Sequence, residues 1–288
     1  MKIAEIYQSL QGEGLLTGTP SIFIRASGCN LRCWFCDTPY TSWQPEGEDL
    51  SVDEIMRRAM DTRLPVAELR SAAAGLPAEM PQQNVRSDLQ GSVGFSPRGP
   101  VNHVWAEAHA TSDLRAPTTD HRLSRHAVLT GGEPMLFAEL IPLSQRLREA
   151  GYHITIETAG TLNLPVECDL MSISPKLSSS TPSADRDPRW HRRHEQSRHA
   201  PEVIRRLLTE YEYQLKFVID SRADCDEVEA YLEELPEADR SRVLLMPQGT
   251  DAKSLAERSA WLEPLCRERG FHFCPRRHIE WYGHARGT

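Results

Sequence analysis

Runs of aliphatic and β-branched residues alternate with stretches whose apolar positions recur every three or four residues, and the alternation repeats down most of the chain. Strands are expected over residues 21–26, 127–130, 153–157, 170–174, 214–219 and 243–246, with a short seventh over 271–274. Helices are expected between them. Ser51-Val52-Asp53-Glu54 reads as a capping box that opens a helix to about Met60. Residues 135–150 keep the helical period and stop before Gly151, a residue type that ends helices. Residues 224–235 and 252–269 follow the same rule. A chain that alternates in this way builds a parallel sheet with helices packed outside it. Periodicity leaves an open twisted sheet and a partly closed barrel as alternatives.

Two segments break the rhythm. Residues 65–120 are rich in Ala, Pro, Gln, Ser, Gly and Asn, and residues 178–200 contain a Ser-Ser-Ser run, Pro182, Pro188 and a basic run. Both read as long polar loops or disordered inserts within one domain spanning 1–288. Trp190-His191-Arg192-Arg193-His194 is too short a basic run to favour a nucleic-acid arm over a solvated loop. The whole chain carries 33 basic and 41 acidic side chains, a net −8, which argues against binding a phosphate backbone. No run approaches the roughly 18 apolar residues of a membrane helix, and the first residues lack a signal pattern. A cytoplasmic protein without membrane or nucleic-acid partners is expected.

The seven cysteines stand at 29, 33, 36, 168, 225, 266 and 274, an odd count that makes a poor disulfide framework. Three fall in Cys29-Asn30-Leu31-Arg32-Cys33-Trp34-Phe35-Cys36, a C-x3-C-x2-C array just after the first expected parallel strand. Loops at the carboxyl ends of parallel strands are where such sheets place active sites. Three thiolates this close can ligate three irons of a [4Fe–4S] cluster and leave the fourth open to a chelating small molecule. Zinc is the alternative, and would require a fourth ligand such as Cys274 or His278.

The array resembles that of the radical S-adenosylmethionine (SAM) superfamily, and its flanks narrow the likeness. Gln11-Gly12-Glu13-Gly14, Phe23-Ile24-Arg25, Cys36-Asp37-Thr38, Thr130-Gly131-Gly132-Glu133-Pro134, Ile156-Glu157-Thr158-Ala159-Gly160-Thr161 and Ser174-Pro175-Lys176 are similar, in family order, to the 7-carboxy-7-deazaguanine synthase family. The resemblance implies an α/β fold, a partial (β/α)6-type barrel of the radical SAM kind carrying the two long polar inserts. It implies a lyase that converts 6-carboxy-5,6,7,8-tetrahydropterin to 7-carboxy-7-deazaguanine with loss of ammonia, in deazapurine (queuosine-type) biosynthesis. The implied cofactors are a [4Fe–4S] cluster on Cys29, Cys33 and Cys36, SAM, and Mg²⁺ held by Thr38. SAM contacts are implied for Phe35, Gly132, Glu133, Glu157, Ser174, Pro175, Lys176, Met246, Pro247, Gln248 and Gly249, and substrate contacts for Leu10, Gln11, Gly12, Arg25 and Thr130. The residue types suit these roles. Paired glycines let backbone approach a ligand, and a planar guanidinium at Arg25 matches a carboxylate.

The implied partners are the pterin and a reducing electron donor such as flavodoxin or ferredoxin, and a homodimer is allowed for. Two other functions are weighed: a radical SAM activase that places a glycyl radical on a partner enzyme, and a zinc-stabilised binding module.

Overall fold

A computed structural model describes residues 1–62 and 125–287. The segment 65–120, expected as an insert, lies outside the described residues. The first two strands, β1 (Lys2–Leu10) and β2 (Pro20–Ala26), pair antiparallel. The rest are β3 (Glu48–Asp49), β4 (His126–Gly131), β5 (His153–Thr158), β6 (Leu170–Ile173), β7 (Tyr213–Ile219), β8 (Val243–Pro247) and β9 (His272–Phe273). They form one sheet in the order β3-β1-β2-β4-β5-β6-β7-β8-β9, and every pairing from β2 to β9 is parallel. Each parallel strand lies beside its predecessor, as a series of right-handed crossovers produces. Among the described residues the sheet ends at β3 and β9 without closing. This is the partial barrel, and it answers the alternative that periodicity left open.

The expected strands all appear, because central parallel strands are buried on both faces and read as continuous apolar runs. β4 is buried through Thr130, and β8 throughout. β1 was not expected. Its Glu5 and Tyr7 line a cavity, so a polar inward face disguises a core strand.

The helices are α1 (Pro39–Ser42), α2 (Val52–Asp61), α3 (Leu140–Glu149), α4 (Pro188–Arg198), α5 (Pro201–Glu210), α6 (Arg222–Glu233), α7 (Ala252–Arg269) and α8 (Arg277–Tyr282). Ser51 caps α2 by accepting from the Glu54 N–H at 3.2 Å, one half of the capping box, while the Glu54 carboxylate pairs with Arg57 and Arg58. The helix expected over 135–150 is broken. A 3₁₀ turn covers Pro134–Leu136 and α3 starts only at Leu140. Pro142 explains the late start, because proline fits the first turn of a helix and clashes deeper inside one.

The loop expected over 178–200 is corrected. Its middle forms α4, with Pro188 at the first position and the Asp187 side chain accepting from the Trp190 N–H at 2.9 Å. His194 on this helix is fully buried. The segment is polar because it packs through specific hydrogen bonds rather than through an apolar stripe.

Candidate active site

At the carboxyl ends of the parallel strands lies a cavity of about 480 Å³, within the size range of small-molecule sites. The loop after β2 brings Cys29, Cys33 and Cys36 to it, all three as free thiols. Burial pushes the Cys29 and Cys33 thiols up to about 12. Cys36 lies 3.2 Å from the Ser42 hydroxyl, and Cys29 accepts from the Leu31 N–H at 3.4 Å. Among the described residues no three His, Cys, Asp or Glu side chains are already drawn to metal-binding distance. Of the two candidate fourth ligands for zinc, Cys274 does not line the cavity and accepts from the Gly14 N–H, whereas His278 borders the cavity beside Glu13.

The residues do fit an iron–sulfur cluster and a chelating ligand. Three thiols of one loop open on one cavity, and the Gly131-Gly132 turn closes tightly against that loop. A Cβ on Gly132 would stand 2.2 Å from the Gly28 carbonyl oxygen, so only glycine permits this approach.

Sixteen of the expected site residues border the cavity: the three cysteines with Leu10, Gln11, Gly12, Arg25, Phe35, Thr38, Thr130, Gly132, Glu157, Ser174, Lys176, Met246 and Gln248. Four do not. Pro175, Pro247 and Gly249 alternate with lining neighbours, as side chains at a strand end point to opposite faces. Glu133 turns inward, wholly buried. It accepts from the Met135 and Ala159 N–H groups and the Thr158 hydroxyl at 2.9–3.1 Å, and so ties the β4 end to the β5 end.

Glu157 borders the cavity as expected. It accepts from the Thr130 hydroxyl at 2.7 Å and the Gln11 amide at 3.3 Å, both expected on the substrate side. Arg25 is held by Glu5 through Nε at 2.6 Å and donates to the Tyr7 hydroxyl at 2.7 Å. Tyr40 donates to the same Glu5 oxygen. Lys176 donates to the Ser174 carbonyl and hydroxyl at 2.7 and 2.8 Å. Thr38 stands just before α1, its carbonyl accepting from the Thr41 N–H at 2.9 Å and its hydroxyl 3.2 Å from that of Thr41.

A further charged group in the wall was missed. Glu13 pairs with Lys216 at 2.5 Å and Arg276 at 3.1 Å, and Arg276 also pairs with Asp37. Burial opposes the Glu13 charge, but Lys216, Arg276 and His278 outweigh it and hold the carboxyl well below the usual range. The signal was available: β7 reads Tyr-Gln-Leu-Lys-Phe-Val-Ile, and a lysine inside an apolar strand is rarely buried unless paired.

No protein-family model matches the chain. It is 37% identical over 287 residues to a 7-carboxy-7-deazaguanine synthase of Rhodopirellula baltica, covering 99% of this chain and 88% of that protein. It is 35% identical over 297 residues to one of Halobacterium salinarum, covering 100% of this chain and 93% of that protein. A crystal structure of QueE from Escherichia coli shares the fold with a TM-score of 0.51 at 24% identity, over 96% of this chain and 94% of that one. On identity carried across its whole length, the chain belongs to the 7-carboxy-7-deazaguanine synthase family.

Proposed function

We propose that this chain is a radical SAM lyase that converts 6-carboxy-5,6,7,8-tetrahydropterin to 7-carboxy-7-deazaguanine with loss of ammonia. The observation that carries the reading is one cavity bordered both by three thiols of a single loop and by the Gln11–Glu157–Thr130 group. Cys29, Cys33 and Cys36 would hold the cluster. Gly132, Phe35, Ser174, Lys176, Met246 and Gln248 would border SAM. When bound, the two groups supply an electron and a radical able to take hydrogen from carbon.

The chain's own part is placement and exclusion of water. Glu157 accepts donors from Gln11 and Thr130 and has lone pairs left for the amino and ring N–H groups of a pyrimidine edge, which reassigns it from SAM to substrate. Arg25, preset by Glu5 and Tyr7, presents its remaining N–H groups to a carboxylate. Thr38 offers a neutral oxygen to Mg²⁺, an ion that keeps most of its waters. The substrate is a small molecule, and reducing the cluster would call for an external electron donor of the flavodoxin or ferredoxin kind. The relatives' names support a synthase over an activase. Anaerobic turnover of the carboxylated tetrahydropterin by iron-loaded protein tests the reading. Product formation that vanishes in Cys33→Ala is expected. Iron-loaded protein that cleaves SAM yet leaves this pterin unchanged would overturn it.

A further inference from the structure

The cluster loop is held from outside the cavity by the segment that reads as solvent-exposed from sequence. The His194 Nδ1 accepts the Arg32 N–H at 3.1 Å, between two of the three cysteines. Its Nε2 lies 2.9 Å from the Ser180 hydroxyl, which in turn donates to the Leu177 carbonyl at 2.6 Å. Because the Ser180 proton is given away, to the Leu177 carbonyl or to the Cys33 sulfur, the imidazole is the neutral tautomer protonated at Nε2. The Ser180 carbonyl accepts the Trp34 N–H at 3.1 Å, and the Ser179 carbonyl accepts the Trp34 Nε1–H at 2.7 Å. On the same helix the Trp190 ring lies 3.9 Å from the Arg32 guanidinium, whose NH1 donates to the Cys29 and Leu31 carbonyls at 2.7 Å.

We propose that α4 is a positioning element for the cluster: His194, acting through Arg32 and Ser180, fixes the backbone between Cys29 and Cys36 so that three thiols face one cavity. A seven-bond loop carrying three ligands has many conformations, and few of them aim all three thiols inward. Outer partners of metal ligands commonly change affinity about 10-fold or more when removed. The proposal rests on the reading that Cys29, Cys33 and Cys36 hold the cluster.

The test compares wild type, His194→Ala, His194→Asn and Cys33→Ala after anaerobic reconstitution. Three quantities are read: iron loss to a chelator, the electron paramagnetic resonance spectrum of the reduced cluster with and without SAM, and the unfolding midpoint of the iron-free protein. His194→Ala is expected to lose iron about 10-fold faster and to show an altered spectrum on SAM addition. His194→Asn offers an acceptor near the position of Nδ1 and is expected to recover most of both. A purely structural role would lower the iron-free midpoint but leave the spectrum of loaded protein unchanged, and that outcome overturns the proposal. Equal impairment of His194→Ala and His194→Asn overturns it too. Should His194→Ala fail to fold, Trp190→Leu, which removes the stack on Arg32 from a half-exposed site, decides by the same criteria with a smaller shift. Retention of iron by Cys33→Ala is the separate outcome that would sink the ligand assignment itself.

Discussion

Removing the Glu13 carboxylate would leave Lys216 and Arg276 facing each other in the cavity wall, both less than a tenth exposed. Breaking one partner out of a buried charge group is costly because the remaining charges keep their desolvation penalty. Glu13→Gln is expected to lower stability by about 3 kcal/mol in urea titration, and a loss under 1 kcal/mol would mean that Asp37, the other partner of Arg276, together with water compensates the two cations. The cysteines separate more sharply. Cys33→Ala should abolish cluster assembly, while Cys168→Ala and Cys225→Ala should retain full iron content, because neither borders the cavity. At this scale the loop residues were legible, since C-x3-C-x2-C compresses its chemistry into eight positions. Glu133 was not. Its motif sits at a strand end beside the ligand, and only the Ala159 N–H and Thr158 hydroxyl across the sheet decide that the carboxylate turns inward.

Two glycines show how elements depend on backbone for different reasons. Gly270 ends α7 at φ 73° with open space around the position a Cβ would take, so Gly270→Ala carries only the cost of a left-handed conformation, about 1 kcal/mol. Gly132 has an ordinary φ but no room beside the Gly28 and Thr41 carbonyls. Gly132→Ala must push the cluster loop away from β4. It is expected to impair iron loading, measured as iron per chain, whereas Gly270→Ala shifts the unfolding midpoint and leaves iron content alone. The starts of α2 and α7 were legible, where Ser51 and Asp251 cap them, whereas α6 starts two residues before its expected position, at the Ser221 capping box. α4 was not legible, because eleven residues with one buried side chain carry no apolar period.

On the opposite, amino-terminal side of the sheet a buried histidine contributes to the pH response of the whole molecule. His126 bridges three strands, its ring 2.6 Å from the Ser21 hydroxyl and 2.8 Å from that of Thr155. Burial, with His153 nearby, depresses it to about 3. An unfolded histidine takes its proton near pH 6.5, so between those values the unfolded chain binds more protons and stability falls as pH falls, by about 1.4 kcal/mol per unit from this site. Urea midpoints near pH 7 and near pH 5 should show the fall, and His126→Gln should make it shallower, the buried His194, depressed to about 4, carrying a further share; an unchanged slope in that variant would assign the response elsewhere. Cluster assembly should run the other way round from a simple binding event. With Cys29 and Cys33 pushed up to about 12, ligation must release their protons, so reconstitution monitored by absorbance should proceed further at higher pH. The sequence alone determined the succession of parallel strands from β2 to β9, the helices opened by Ser51 and Asp251 and the three-cysteine loop, because hydrophobic period and short motifs are local and each is complete within about a dozen residues. Tertiary structure alone decided which groups share a wall. Glu13 meets Lys216 across 203 positions, Gln11 meets Glu157 across 146, and His194 meets Arg32 across 162. Such pairs exist only once the parallel strands lie side by side and bring distant loops to one end of the sheet.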